Sequence, residues 1–462
     1  MPYETDLETA ATPCRVPVKR AVVLVFGILL LTSLTDWARS QSPVEQKSRP
    51  EIRLGERLFR DDRFSTPQGD LPASCSHCHL YDEDPQGRRA YADFFNRSWV
   101  SYRLQDPRRL ELRNSPTIYD AGEMPRLHFD GEFTSLEELV KGTLAGRPMG
   151  WLPGERDRAF AQVQAVLLGD KGEGRGAEGS YRDQFKQAYG VDLEKLGRSE
   201  AVDLVARAIS DFVRTLKTEK NSPYDSFIRV NGLEAGPAAE ESGQAFGKRL
   251  LLKVSALEAQ GKLRLPDNFG ADAVRGLKIF LRTEGDGATG NCVSCHVPPL
   301  FTDFSFHNLG VSQREYDQIH GAGKFAALPI PSAAAATRPS AQFRETPAKG
   351  RPGEADLGHW NFVDLKNSPL RRAGESDDQF LGRMIATFKT PTLRNLAYTH
   401  PYFHTGALSS LEEVLDELIL LSDMARAGQV RQADEELGKI KITQADVAPL
   451  AAFLNTLNGA LR

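Results

Sequence analysis

Cys75-Ser76-His77-Cys78-His79 and Cys292-Val293-Ser294-Cys295-His296 repeat one pattern, Cys-x-x-Cys-His. Two thiols followed at once by an imidazole suit covalent attachment of haem c. The sulfurs form thioethers with the haem vinyl groups, and the histidine takes the iron from the proximal side. A pair of redox or zinc CxxC sites is the competing reading. Four of the 5 cysteines fall in the two pentads, which favours two haems ligated by His79 and His296. Covalent attachment also lets a small, loop-rich domain keep a large cofactor.

The segments that must position these residues are themselves duplicated. Leu54-Gly55-Glu56-Arg57-Leu58-Phe59 precedes the first pentad and Arg275-Gly276-Leu277-Lys278-Ile279-Phe280 the second, each a short helix by its apolar spacing, then a loop. Between them Val202, Val205, Ile209, Phe212 and Leu216 recur at helical steps, an amphipathic core helix. Asn221-Ser222-Pro223 is expected to end it. Residues 326–353, rich in Ala and Pro, read as a loop or linker. Thr443 and Asp446 have capping-box spacing, opening a last helix that carries Val447, Leu450, Phe453, Leu454 and Leu457 and stops at Gly459. Period-two strand patterns are scarce. The expected fold is mainly α: two cytochrome c-like haem domains with long loops, residues 50–245 and 246–462.

Residues 1–40 read as a signal peptide. Arg15, Lys19 and Arg20 precede an apolar run from Ala21 to Leu34, and Ala38-Arg39-Ser40 offers small residues for cleavage. The run is short for a membrane span, which needs about 20 residues. Cys14 lies before it and leaves with the signal. Covalent haem fits export, so the mature chain is expected in the periplasm without stable membrane insertion. A net charge of -4 and unclustered basic residues argue against nucleic acid as a partner.

Several segments together resemble the bacterial dihaem cytochrome c peroxidase family, which includes the MauG-like enzymes. They are Leu54–Phe59 with Asp61 to Ser65, the first pentad, Arg113-Asn114-Ser115-Pro116-Thr117, Phe129-Asp130-Gly131 with Ser135-Leu136-Glu137-Glu138, the second pentad, Phe306-His307-Asn308-Leu309-Gly310, Phe388 to Asn395, and Pro401-Tyr402-Phe403-His404-Thr405-Gly406. The resemblance implies that the His79 haem reacts with hydrogen peroxide, and that the His296 haem takes electrons from a small donor, a cytochrome c or a cupredoxin. It implies Ca²⁺ between the halves, on Asn114 and the backbone carbonyls of Thr399 and Pro401; oxygen ligands of this kind suit that ion. His307 resembles a structural position beside the second haem, and His404 a position that bonds a haem propionate or the interface. Many relatives are homodimers.

The departures from the family pattern bear on function. Where members carry a distal Glu, this chain reads Gly146-Arg147-Pro148-Met149-Gly150-Trp151, and Leu139 stands where many carry Gln. Losing the acid/base predicts slower peroxide heterolysis, by roughly 10²–10⁴-fold. Candidates to replace it are Arg147, as an electrostatic stabiliser, with Glu155, Glu132 and His128. Phe129 replaces the Trp found between the haems in many members. Leu418 falls where the family places a Met or Tyr ligand of the second haem, which leaves Met384 and Met424 as the nearest thioethers. No histidine lies between His79 and Arg113, so the first haem is expected to be open and high-spin. His77 is read as a mere spacer of its pentad, and His320, His359 and His400 as surface residues. The expected function is reduction of peroxide to water with electrons from a small redox protein. The alternatives are a MauG-like oxidase of a protein side chain and a dihaem carrier or sensor without turnover.

Overall fold

The computed structural model describes residues 49–69, 72–83, 89–93, 113–173, 178–285, 287–335 and 342–459. The expected signal peptide lies outside them. The helices are α1 Pro50–Phe59, α2 Cys75–Cys78, α3 Leu136–Leu144, α4 Arg156–Gly169, α5 Tyr181–Tyr189, α6 Arg198–Val213, α7 Pro223–Val230, α8 Gly243–Ala259, α9 Ala271–Leu281, α10 Val311–His320, α11 Asp377–Arg383, α12 Leu411–Arg426 and α13 Gln444–Asn455. Two antiparallel pairs are the strands described: β1 His79–Glu83 with β2 Arg89–Asp93, and β3 Phe306–His307 with β4 Phe388–Lys389. The mainly α expectation holds. Among the described residues no helix is long and apolar enough to cross a membrane.

The duplicated hexamers end as equivalent helix crossings. Gly55 of α1 lies against the Ala208 carbonyl of α6, and Gly276 of α9 against the Pro449 carbonyl of α13. A Cβ at either glycine would strike that carbonyl, so the helices approach this closely only without one. Beside each glycine an aromatic pair closes the contact. Phe59 meets Phe212 edge-on at 5.5 Å, and Phe280 meets Phe453 at 5.1 Å. Val202, Val205, Ile209, Phe212 and Leu216 are all buried in the core around the first crossing, which draws on residues 52–216. The second core runs from Tyr224 to Leu457 around the other crossing. In α13 the predicted cap is present, the Asp446 carboxylate accepting from the Thr443 N–H and hydroxyl, 2.9 Å each.

Two expectations need correction, and a third gains detail. The helix carrying Val202 already ends at Val213, and Ser222-Pro223 opens α7 instead: Ser222 accepts from the Asp225 N–H, and Pro223 takes the first turn, where its missing N–H costs nothing. Residues 326–353 hold no helix or strand among the described residues, as expected of a loop, but Leu328 and Phe343 bury themselves with Trp360, Phe380 and Met384 in a third core between Tyr316 and Ala386. His359 is not a surface residue. It is 2% exposed, stacks on Phe306 at 3.9 Å, and its Nδ1 sits 2.8 Å from the Asp130 carbonyl.

Candidate functional site

The second pentad follows α9 as a tight turn, with His296 N–H donating to the Cys292 carbonyl at 2.8 Å. Asn291 anchors the turn by donating to Glu436 at its carbonyl and carboxylate, 3.0 and 2.9 Å. Cys292, Cys295 and His296 line one cavity of ≈ 270 Å³ with Phe280, Leu393, Leu415, Leu418 and Leu454 among its apolar walls. Burial pushes the Cys292 thiol up to about 12 and pulls the His296 imidazole down, so the ring is neutral. Its Nδ1 lies 2.9 Å from the Phe301 carbonyl, which makes Nδ1 the donor and leaves Nε2 as the lone pair available to iron. Two thiols, one neutral imidazole and an apolar enclosure fit a covalently held porphyrin.

The surroundings of this cavity sort the sequence candidates. His307 lies between Asp303 (2.9 Å) and Asp434 (2.7 Å). Burial opposes its charge, but the two carboxylates outweigh it and push the imidazole up to about 12. It is an imidazolium held by salt bridges, not an iron ligand. His404 stacks on Phe388 at 3.5 Å, its Nε2 3.3 Å from the Ser312 hydroxyl. Leu418 lines the cavity, as the spacing from His404 predicts, whereas Met384 is buried in the third core and Met424 is not part of the cavity wall.

The first pentad forms the single turn α2. His77 does more than space the cysteines: its Nδ1 accepts from the Ser74 N–H at 3.0 Å, which closes the start of the turn. Cys75, Cys78 and His79 line a second cavity, of ≈ 800 Å³, with Phe59, Ile209 and Val213 among its apolar residues. Burial pushes Cys75 up to about 12 and Cys78 up to about 11. This donor set again suits haem c.

Part of the wall of this cavity is polar: His128, Glu132, Arg147 and, from far along the chain, Arg344 and Glu345. Glu132 accepts from Arg344 at 2.9 Å and faces His128 Nδ1 at 3.4 Å. Burial acts to raise the Glu132 carboxyl, but the His128 contact and the Arg344 charge hold it below the usual carboxylate range. Asp130, fully buried, is bound by Arg113, which also grips Asp356 with a bidentate pair reaching 2.7 Å. Arg147 sits on a 3-10 turn with Pro148 and Met149, and all three line the cavity, as does Leu139. Glu155 is elsewhere: it accepts from the Leu152 N–H at 2.9 Å and pairs with Arg158. Sequence reasoning missed Arg344 and Glu345, whose local pattern is that of an ordinary loop.

Asn114, Ser115, Pro116, Thr117, Met124, Phe129 and Lys389 line both cavities, and so form the wall between them. The Lys389 backbone N–H donates to the Phe129 carbonyl at 2.7 Å, and its ammonium donates to the Arg126 carbonyl at 2.9 Å. Burial pulls this amine down to about 8, against the opposing pull of Asp130. The Asn114 amide nitrogen points at the carbonyls of Pro401 (2.6 Å) and Phe403 (3.2 Å), while its buried Oδ1 has no hydrogen-bond partner. Turning the amide over sets Oδ1 beside those carbonyls, an all-oxygen group that a hard cation would satisfy. Thr399 lines the adjoining cavity.

Residues 49–232 match a family model described as di-haem cytochrome c peroxidase. Cytochrome-c peroxidase IdrP1 of Denitromonas iodatirespirans is 24% identical over 409 residues, spanning 88% of this chain and 81% of that protein. Methylamine utilization protein MauG of Methylophilus methylotrophus is 23% identical over 454 residues, spanning 95% and 96% respectively. The crystal structure of the diheme peroxidase BthA from Burkholderia thailandensis aligns with a TM-score of 0.53 at 19% identity, covering 89% of this chain and 86% of that one; the two share a fold.

Proposed function

We propose that the chain, an oxidoreductase similar to the dihaem cytochrome c peroxidases and MauG proteins, is a periplasmic peroxidase that reduces hydrogen peroxide to water with electrons from a small redox protein. The observation that carries this reading is the group of His128, Glu132, Arg147 and Arg344 on the wall of the His79 cavity, whereas the charged residues His307, Asp434 and Glu436 of the His296 cavity are engaged with one another or with Asn291, beside an aliphatic stretch that holds Leu418. In this reading Cys75 and Cys78 tether one haem c under His79, and Cys292 and Cys295 the other under His296, in domains that divide near residue 245. Haem iron supplies the site where peroxide binds and accepts electrons.

The protein groups do the rest. Neutral His296, oriented by the Phe301 carbonyl, would hold haem iron through its Nε2. Leu393, Leu415, Leu418 and Leu454 offer peroxide no proton donor or acceptor along their part of the second cavity, which suits electron transfer. The charged wall of the first cavity orients peroxide and handles its protons. Asn114, with the carbonyls of Thr399 and Pro401, would hold Ca²⁺ and tie the two halves together.

Mass spectrometry of protein matured in a host that attaches haem c, followed by rapid mixing of the reduced form with H₂O₂, tests this directly. Two added haems and fast oxidation with consumption of one peroxide per two electrons are expected. One haem, or no reaction, removes the proposal. The MauG relative, matched over 96% of its own length, supports a second reading, oxidation of a protein side chain. Phe129 in the shared wall weighs against it, since Phe is a poor radical relay.

A further inference from the structure

We propose that Glu132, held by His128 and by Arg344 on the wall of the first cavity, is the group that takes and returns the proton of bound peroxide. This rests on the peroxidase reading above and adds the residue that performs the acid/base step. The loop that carries it is built for presentation. Leu127 N–H donates to the Phe133 carbonyl at 2.8 Å, closing a short loop whose His128 and Glu132 side chains meet.

The other groups of the loop are committed elsewhere. Asp130 is locked by Arg113, and its carbonyl meets His359. Gly131, at φ 71°, has no room for a Cβ against the Phe306 ring. His128, at φ 63°, packs its ring edge-on against Phe133 at 5.0 Å. A non-glycine residue at positive φ stores strain that a functional position can justify. Arg344 arrives from the third core's segment and fixes the carboxylate. Glu132 is therefore an ionised acceptor on the wall of the cavity that His79 also lines.

The step balances as follows. Peroxide gives the proton of its haem-side oxygen to Glu132, and Glu132 returns it to the far oxygen. The O–O bond breaks heterolytically, both bonding electrons leaving on the far oxygen as water. The two electrons that complete reduction would be supplied by the two haems and replaced by the donor protein, and solvent would supply the two protons of the second water. Two of the other residues that the sequence offered for this role do not fit it. Arg147 supplies charge but no proton acceptor, and Glu155 lies outside the residues that line the cavity.

The test compares holoprotein with its E132Q and E132D variants in two assays. The first is the rate of oxidation by H₂O₂. The second is cyanide binding to the ferric first haem, in which HCN must lose its proton, with imidazole, which loses none, as the control ligand. E132Q is expected to slow the peroxide step by about 10²–10⁴-fold and to slow cyanide binding, with imidazole affinity retained; E132D is expected to recover part of both rates. Wild-type rates in E132Q, or equal loss in E132Q and E132D, overturn the assignment and leave the peroxidase reading standing. A wild-type protein inert to peroxide overturns that reading instead, while the cyanide assay still reports on Glu132.

Discussion

Lys389 brings an ammonium into the wall that both cavities share, with one carbonyl as its hydrogen-bond acceptor. A buried cation favours the reduced, more negative state of any nearby redox centre. Lys389→Met is therefore expected to lower the midpoint potentials of both haems, read by spectroelectrochemical titration. The same side chain sets a pH dependence. Its amine is pulled from 10.5 to about 8 by burial, so between those values the unfolded chain binds a proton that the folded chain does not. Stability contributed by this group rises with pH across that window, and the stability difference between wild type and Lys389→Met should change most there in denaturant titrations. Glu155→Gln, by contrast, alters a loop contact outside both cavities and should leave peroxide turnover near wild type. At this scale the sequence was informative where chemistry is contiguous. The pentads, Leu418, Phe129 and the His128–Glu132 stretch could all be named from the chain. Arg344 could not, because a lone arginine in a Pro-rich loop carries no local mark of the carboxylate it meets.

The two glycine crossings make the duplication physical at the level of elements. Gly55→Ala and Gly276→Ala each force a methyl group onto a backbone carbonyl of the facing helix, and each should cost about 1–3 kcal/mol, measured by thermal unfolding of the holoprotein. Similar losses at the two positions would mark them as equivalent. Helices with strong apolar periodicity were legible, since burial of one face is what makes them stable. Boundaries were less so. Ser222-Pro223 has the composition of a stop, yet the same pair is a good start, because proline is excluded only from the helix interior. His359 was misplaced for a different reason: an isolated histidine beside a tryptophan gives no sign of whether a partner carbonyl, here that of Asp130, awaits it.

For the molecule as a whole, Arg113 joins the halves of the chain by holding Asp130 of one and Asp356 of the other. Removing it strands two carboxylates with little solvent, so Arg113→Ala should cost about 3–5 kcal/mol, visible as a lower denaturant midpoint. The conservative Arg113→Lys cannot reproduce the bidentate grip and should fall between. The wall of the first cavity has one more consequence. Arg344, Glu345 and Thr346 lie late in the chain, long after the pentad whose cavity they complete. If Cys75 and Cys78 carry haem c as proposed, a polypeptide that emerges amino end first would deliver them to the attachment machinery with that side of the chamber still missing. Loading of the first porphyrin would thus precede closure, with the later residues added like the last course of a vault.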